Sequence, residues 1–376
     1  MTADLPPALT GRARDAAHAR AGDCACEAAG TLADRPDGTV VRHADTVAKA
    51  HAPDADRAEL TARLAVAARL PGILLPPLCP APADLHGRLV TFWPYGAPVD
   101  PDAPDAAPWE AAATLLARLH RSPLAAPATV PPARGRGAPD ARPVAPPPRN
   151  AETSEIRSVP SPVTREGEPD ARSVTVPATR AGVPGVRPAA GPPPMRGPLK
   201  AARARDRLLA VAPAHPAAAP VLRAWDTLPA WARGEAPMPD SAVLCHGDLH
   251  LGQLVRHPAP GGPWLLIDVD DLGTGVPAWD LARPAAWFAC GLLPPDEWTR
   301  FLTAYRTAGG PAVPADGDPW PALDVPARAL TVQTAALAVA RAAAAGRPLD
   351  EVERAVVDAC DRMRGIPAEL TQAVPK

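Results

Sequence analysis

The chain has 376 residues, 47% of them hydrophobic, which is enough apolar material for the core of one two-lobed domain or of two small ones. Its formal net charge of -2 argues against nucleic acid as the main partner. The 54 Pro against only two Tyr and three Phe depart far from average usage, which indicates a long extended portion beside the globular part.

The first residues, MTADLPPALTGRARDA, contain no apolar signal-peptide core, and no stretch approaches the roughly 18 consecutive apolar residues of a membrane span. We therefore expect a cytoplasmic protein without a membrane partner. The six cysteines are scattered and are expected to be reduced thiols. Cys24 and Cys26 form the one close pair, for which a metal or redox role is the less favoured interpretation.

The first hundred residues are rich in predicted strands. Residues 1–23 are polar, Ala/Arg-rich and without clear periodicity, so they are expected to be loose or to form a short helix. Three short strands follow at Ala28–Leu32, Thr39–Arg42 and Thr46–Ala50, separated by turn residues. This order predicts a three-stranded meander.

A helix is predicted from Asp54 to Leu70, with Asp54 or Asp56 as its cap. Its apolar stripe leaves Glu59 one step off the buried face. Glu59 is then either an exposed acid that complements the helix dipole or the partner of Lys49 in the third strand. The β-prone run Leu89–Trp93, which stops at a Pro-Tyr-Gly turn, is at least a core strand.

The composition changes sharply after a helix predicted from Trp109 to about His120. Residues 123–198 contain two triple prolines, no aromatic residue and a repeated PDAR fragment. Their apolar surface is too small to offset the entropy of ordering, so we predict a disordered or polyproline-like insertion. A solvated spacer is the favoured interpretation, and recruitment of a partner is the alternative.

The segment VLCHGDLHLGQLVRHPAPGGPWLLIDVDD, residues 243–271, follows two further predicted helices. It contains two short apolar strands joined by a Pro/Gly turn, with a polar loop before the first and acids after the second. A hairpin places both loops at one end. We therefore expect Asp248, Gln253 and Asp268 to converge on one point.

These three side chains suit phosphoryl transfer, whose loose transition state leaves the protein mainly to position the nucleophile and neutralise charge. One carboxylate must accept the hydroxyl proton, and oxygen ligands must hold magnesium against the phosphates. Asp248 and Gln253 have the five-residue spacing of a kinase catalytic loop, and Asp268 ends an apolar strand, as the second metal-binding Asp of that template does.

Three motifs resemble the aminoglycoside phosphotransferase family: HGDLHLGQ, LLIDVDD and GVPAWDLA. The first is similar to the loop of maltokinase-like members. The resemblance implies a protein-kinase-like fold and phosphorylation of small-molecule hydroxyls, with Asp248 as the base and Gln253 and Asp268 as Mg²⁺ ligands. Asp280 would brace the loop, and His246 would support it by hydrogen bonding. Gln253 departs from the commoner Asn.

By the same resemblance, Lys49 would contact the phosphates of ATP, or of GTP, with Glu59 as its ion-pair partner. Phe92 or Tyr95 would line the nucleotide pocket at the hinge. A Gly-rich phosphate loop is absent from the sequence, so the turn before the second strand would have to cover the phosphates.

Asp270 and Asp271 are possible contacts for substrate or metal, and a solvated turn is the simpler alternative. Four later helices are predicted, one beginning at Asp280 and the others at residues 295–305, 326–345 and 349–363.

The order of elements predicts an α+β, two-lobed, protein-kinase-like fold with a small antiparallel β-rich N-lobe and a larger helical C-lobe. The predicted parts are a loose N-terminus (1–23), a β-rich nucleotide-binding N-lobe (24–96), a hinge with the first C-lobe helix (97–122), the Pro-rich insertion (123–198), the helical C-lobe with the catalytic loop at 243–271 (199–368), and a tail (369–376).

The favoured function is an ATP-dependent phosphotransferase acting on a hydroxyl of an aminoglycoside-like antibiotic, a sugar or an amino alcohol. One alternative is a catalytically weak nucleotide-binding scaffold of the same fold, because the metal amide is altered and the Gly-rich loop is missing. The other is a metal-dependent hydrolase, whose zinc or metal pair would be bound by His246, Asp248, His250, His257 and Asp268.

Overall fold

The computed structural model describes residues 5–18, 26, 29–35, 37–124, 191–212, 214–239 and 242–363. Most of the predicted insertion at 123–198, the predicted tail and Cys24 lie outside these residues. No helix in the described ranges is long and apolar enough to cross a bilayer.

The N-lobe is a five-stranded antiparallel sheet with the strand order β1-β2-β3-β5-β4. The strands are β1 (Ala29–Arg35), β2 (Gly38–His43), β3 (Thr46–Ala50), β4 (Ala83–Leu85) and β5 (Arg88–Pro94). The predicted meander and the later core strand are therefore confirmed.

One face of this sheet packs against a helix. Val41 pairs with Ala48 and both are buried against helix α1 (Leu5–Ala17), which contributes Leu9 and Ala13. Since side chains alternate along a strand, Lys49 lies on the opposite face. Of the two alternatives for residues 1–23, a loose segment or a short helix, α1 is the short helix, so the loose N-terminus is wrong for Leu5–Ala17. The sequence could not decide between them, because two apolar residues four apart give a weak periodic signal.

Helix α2 (Arg57–Arg69) begins as predicted after an acidic cap. The side chain of Asp56 accepts a hydrogen bond from the backbone N–H of Glu59 at 2.8 Å. The hinge follows β5 and includes the short strand β6 (Ala97–Pro98).

The C-lobe is mostly helical and contains the larger hydrophobic core. Its helices are α3 (Trp109–His120), α4 (Gly197–Val211), α5 (Ala218–Asp226), α6 (Ala278–Ala289), α7 (Pro295–Thr307), α8 (Trp320–Ala344) and α9 (Glu351–Arg362). Helix α8 begins six residues before the predicted start at residue 326, and it buries Leu323 in that additional stretch. The predicted two-lobed fold class is confirmed.

Four short strands in the C-lobe carry the loops of the predicted catalytic segment. Strand β7 (Val243–Cys245) pairs with β10 (Gly273–Gly275), and β8 (Leu254–Arg256) pairs with β9 (Trp264–Leu266). The predicted hairpin is β8–β9.

The chain returns to the C-lobe before residue 198, so the predicted end of the insertion is too late. Met195 is only 2% exposed, and its N–H donates to the carbonyl of Thr274 at 2.9 Å. The N–H of Thr274 in turn donates to the carbonyl of Pro193 at 2.9 Å. Residues 193–195 lie directly against Gly273, where an added Cβ would be 2.2 Å from the backbone oxygen of Pro193. A Pro-rich composition does not indicate that residues within it form backbone hydrogen bonds of this kind.

We predict that replacing residues 125–190 by a flexible Gly/Ser linker leaves the thermal unfolding midpoint unchanged, because that composition supplies little core. Extending the replacement through residue 198 should destabilise the protein by about 2–5 kcal/mol, since it removes the buried Met195 side chain. Thermal unfolding followed by circular dichroism compares the two variants. Equal stability of both would contradict the assignment of residues 193–198 to the core.

Candidate active site

Two loops of the C-lobe lie side by side because β7 and β10 are paired, with Cys245 opposite Gly273. The first loop begins at His246, and the second carries the acids after β9. Gly247 has a φ of +87°, and a Cβ at this position would lie 2.4 Å from the backbone oxygen of Asp271. Only glycine permits this backbone conformation and this close approach together.

Asp280, in the first turn of α6, holds the first loop through its backbone. Its carboxylate accepts hydrogen bonds from the N–H groups of His246 at 2.6 Å and Gly247 at 2.7 Å. Asp280 is only 1% exposed, so these donors offset the cost of burying a charge. The residue is therefore not a helix cap, although the sequence allowed that interpretation.

A third partner of Asp280 comes from α3. His120 Nε2 lies 2.9 Å from the carboxylate, and His120 Nδ1 lies 2.7 Å from the hydroxyl of Tyr305. That hydroxyl accepts the N–H of Ala312 at 2.9 Å, so it can donate to Nδ1 while Nε2–H donates to Asp280. Burial raises the pKa of Tyr305 far above its usual value, which keeps the hydroxyl protonated as this chain of bonds requires.

His246 ties the first loop to the end of the hairpin. Its side chain is buried, and Nε2 lies 2.8 Å from the carbonyl oxygen of Ile267, so Nε2–H is the donor. The ring thus supports the loop through a backbone contact.

Asp248, the predicted base, is held by two cations. Lys200 Nζ lies 2.6 Å from one carboxylate oxygen, and Arg283 Nη2 lies 2.6 Å from the other. Burial alone would raise the pKa of Asp248, but Lys200 and Arg283 hold it well below its usual value. The carboxylate is therefore ionised and fixed in orientation at neutral pH.

Lys200 also joins the two loops, because its Nζ lies 2.8 Å from Asp271. Burial acts to lower the pKa of Lys200, and the two carboxylates outweigh this effect and raise it well above its usual value. Burial raises the pKa of Asp271 above its usual value, despite the opposing effect of Lys200. Neither Lys200 nor Arg283 belongs to the residues that the sequence motifs indicate.

A second ion-pair cluster connects the second loop, which follows β9, to the N-lobe. Lys49 Nζ lies 2.7 Å from Asp268 and 2.9 Å from Asp270. Burial would lower the pKa of Lys49, but these two acids raise it well above its usual value. His51 Nδ1 lies 2.7 Å from Asp270, and its Nε2 lies 2.8 Å from the hydroxyl of Thr91.

Asp268 has a φ of +67°, in the left-handed region that non-glycine residues seldom occupy. The side-chain nitrogen Nε2 of Gln253 lies 3.4 Å from the carboxylate of Asp268. The backbone carbonyl of Gln253 accepts a hydrogen bond from the backbone N–H of Ile267 at 2.9 Å. The expected neighbours Gln253 and Asp268 are thus brought together. A carboxylate and an amide oxygen form a donor set that fits a hard cation such as Mg²⁺.

The predicted pairing of Glu59 with Lys49 is wrong. Glu59 lies 3.0 Å from Arg63, which is one turn further along α2, and Arg63 Nε donates to the carbonyl of Leu272 at 2.9 Å. Glu59 therefore pairs with Arg63, the nearer cation on the same helix. Lys49 pairs instead with the acids of the second loop.

The two predicted nucleotide-pocket residues lie in different places. Phe92 pairs with Ala48 and is buried in the cluster against α1, so it faces away from Lys49 and its assignment to the pocket is wrong. Tyr95 is half-buried, and the guanidinium of Arg42 lies 3.3 Å from the centre of its ring. Val40 pairs with Lys49 across the two strands, and Arg42 is two residues from Val40. Since side chains alternate between faces along a strand, Arg42 and Lys49 lie on the same face of the sheet.

The ligand set of the alternative hydrolase is not assembled among the described residues. The convergent His, Cys, Asp and Glu groups there are His18 with Cys26 and His43, and His120 with Cys245 and Asp280. His257 Nδ1 instead lies 3.0 Å from the Tyr95 carbonyl. Burial lowers the pKa of His250 to about 4, although Asp248 opposes this effect.

Comparison with known proteins gives one family. A model described as the phosphotransferase enzyme family matches residues 31–323. The comparison with curated proteins gave no match.

Similar solved structures include a spectinomycin phosphotransferase, APH(9)-Ia, in complex with ADP and spectinomycin. It has 12% identity, a TM-score of 0.46, and coverage of 93% of this chain and 93% of that chain. The aminoglycoside phosphotransferase APH(4)-Ia has 13% identity, a TM-score of 0.47, and coverage of 91% and 95%. A choline/ethanolamine kinase family protein from Mesorhizobium loti has 16% identity, a TM-score of 0.42, and coverage of 92% and 88%.

The close approach at Gly247 predicts a specific loss of stability. Gly87 provides a matched control, because it has a φ of +77° but no atom within 4 Å of an added Cβ. Gly87→Ala should cost about 1 kcal/mol for the backbone conformation alone. Gly247→Ala should cost a further 1–3 kcal/mol or so, because the loop must move away from Asp271. Chemical denaturation of both variants measures the difference, and equal losses would contradict the contact.

Proposed function

The chain belongs to the phosphotransferase enzyme family and is a small-molecule phosphotransferase, and we propose that it transfers the γ-phosphate of ATP to a hydroxyl group with Asp248 as the base. The family suggested by the sequence motifs is thereby confirmed. The observation that carries the proposal is that the Asp248 carboxylate is held by Lys200 and Arg283 beside a second loop that pairs with Lys49.

The position of Asp248 supports its role as the base. Its loop is fixed by Asp280 through two backbone hydrogen bonds, and both of its carboxylate oxygens have a cationic partner. In a loose phosphoryl-transfer transition state the base mainly orients the attacking hydroxyl and takes its proton late. A fixed carboxylate of low pKa is adequate for that task.

Gln253 and Asp268 are proposed to hold Mg²⁺, because they are adjacent and offer the oxygen ligands that this ion prefers. Magnesium, when bound, supplies positive charge against the phosphates. Lys49 would bind the α- and β-phosphates, exchanging its contact with Asp268 for phosphate oxygens and keeping its contact with Asp270. Asp270 and Asp271 are proposed to orient Lys49 and Lys200, respectively, through these ion pairs.

The acceptor is proposed to be a hydroxyl-bearing small molecule such as an aminoglycoside-like antibiotic, a sugar or an amino alcohol. ATP consumption measured over a library of these three classes tests the proposal, with radiolabelled or mass-detected phosphate transfer to the active compound. Mg-ATP binding without transfer to any hydroxyl compound would instead support the nucleotide-binding scaffold.

We predict that Asp248→Ala lowers kcat by about 10²–10⁴-fold, because the variant lacks the carboxylate proposed to accept the hydroxyl proton. The Kd for Mg-ATP should stay nearly unchanged. Asp84→Ala, at a largely exposed acid of the N-lobe, is the control and should keep full activity. Steady-state kinetics and calorimetric titration measure both quantities. Full activity of Asp248→Ala would show that the base is another residue.

Lys49→Ala should weaken Mg-ATP binding and lower kcat together, since the amine would contact the phosphates both before and during transfer. The same titration and kinetics apply. A change in kcat without a change in nucleotide affinity would contradict the phosphate contact.

The pKa of Asp248 predicts how activity responds to acid. Because Lys200 lowers that pKa, removing its charge raises it, and the base becomes protonated at a higher pH than in the wild type. The ratio of kcat/KM for Lys200→Ala to that of the wild type should therefore fall as pH decreases from about 7 toward the usual Asp pKa of about 3.9. Lys200→Arg keeps the charge and should follow the wild type more closely. A ratio independent of pH would contradict this role of Lys200.

A further inference from the structure

Three side chains of metal-ligand type converge on the face of the N-lobe sheet opposite Lys49. His18 follows α1, Cys26 precedes β1, and His43 ends β2 on the face that packs against α1. His18 Nε2 lies 3.1 Å from His43 Nε2 and 3.5 Å from Cys26 Sγ. All three ligand atoms lie within 4.8 Å of one another.

These separations match the edges of a tetrahedral metal site. With Zn–N bonds of about 2.0–2.1 Å and Zn–S bonds of about 2.3 Å, two ligand nitrogens are about 3.3 Å apart and a nitrogen and a sulfur are about 3.6 Å apart. The observed 3.1 Å and 3.5 Å are within a few tenths of an ångström of these values.

Hydrogen bonding alone explains this arrangement poorly. An imidazole nitrogen carries either one proton or one lone pair, so His18 Nε2 can make one ordinary hydrogen bond in the ring plane. It nevertheless has both His43 Nε2 and Cys26 Sγ as close neighbours. A cation placed between the three atoms would satisfy all of them at once.

We propose that His18 Nε2, His43 Nε2 and Cys26 Sγ bind one Zn²⁺ ion, with the thiol of Cys26 losing its proton to solvent on binding. The mixed nitrogen and sulfur donor set favours zinc over magnesium or calcium. The ion connects the end of α1, the approach to β1 and the end of β2. It stabilises the N-lobe and takes no part in phosphoryl transfer, since Lys49 is on the other face of the sheet.

The test is the zinc content of the full-length protein, purified after expression in zinc-supplemented medium. We expect about one zinc per chain in the wild type and background levels in His43→Gln and Cys26→Ser. The matched controls are His86→Gln and Cys79→Ser, an exposed histidine and a half-buried cysteine of the same lobe. They should retain zinc, and so should Asp248→Ala, which separates this site from a metal at the catalytic loop.

Cobalt substitution provides a readout that survives if a variant fails to fold. Wild-type protein reconstituted with Co²⁺ should show the visible bands of a tetrahedral site and thiolate-to-cobalt charge transfer. Removal of zinc by a chelator should lower the thermal unfolding midpoint of the wild type but not that of Cys26→Ser. No bound zinc after incubation with the metal, zinc retained by both ligand variants, or a cobalt spectrum without thiolate charge transfer would each overturn the proposal.

Discussion

The candidate site depends on one buried carboxylate, that of Asp280. It accepts the backbone N–H groups of His246 and Gly247 and lies within hydrogen-bond distance of His120 Nε2. A carboxylate buried without such partners would cost several kcal/mol, so the bonds and the loop conformation require each other. The loop that carries Asp248 is therefore positioned from the C-lobe core, through a helix that itself contributes no proposed reacting group.

The parts of the site that could be predicted from the sequence are those whose residues lie within one short segment of the chain. The spacing of Asp248, Gln253 and Asp268 together with two apolar strands was enough to predict a hairpin with loops at one end. Arg283 could also have been found, because it lies three residues after Asp280 and so on the same face of α6. Most of the order of strands and helices followed from periodicity and turn residues.

The rest depends on contacts between distant segments. Lys200 lies 48 residues before Asp248, and the available signal was its rarity, since the 39 basic residues include only three lysines. Glu59 was misassigned because the choice between Lys49 and Arg63 depends on helix orientation, which the sequence leaves open. Phe92 was misassigned because strand register decides which face of the sheet it lies on. The sequence does not give that register, in which Phe92 pairs with Ala48.

The loop after β9 divides its acids between the two lobes: Asp268 and Asp270 pair with Lys49 of the N-lobe, whereas Asp271 shares Lys200 of the C-lobe with Asp248. Together with Arg283, these seven groups carry four negative and three positive formal charges. Each of the three cations in this group has at least one acidic partner. If the protein binds nucleotide as proposed, a nucleotide already complexed with a divalent ion would meet less repulsion from these four carboxylates than free nucleotide would.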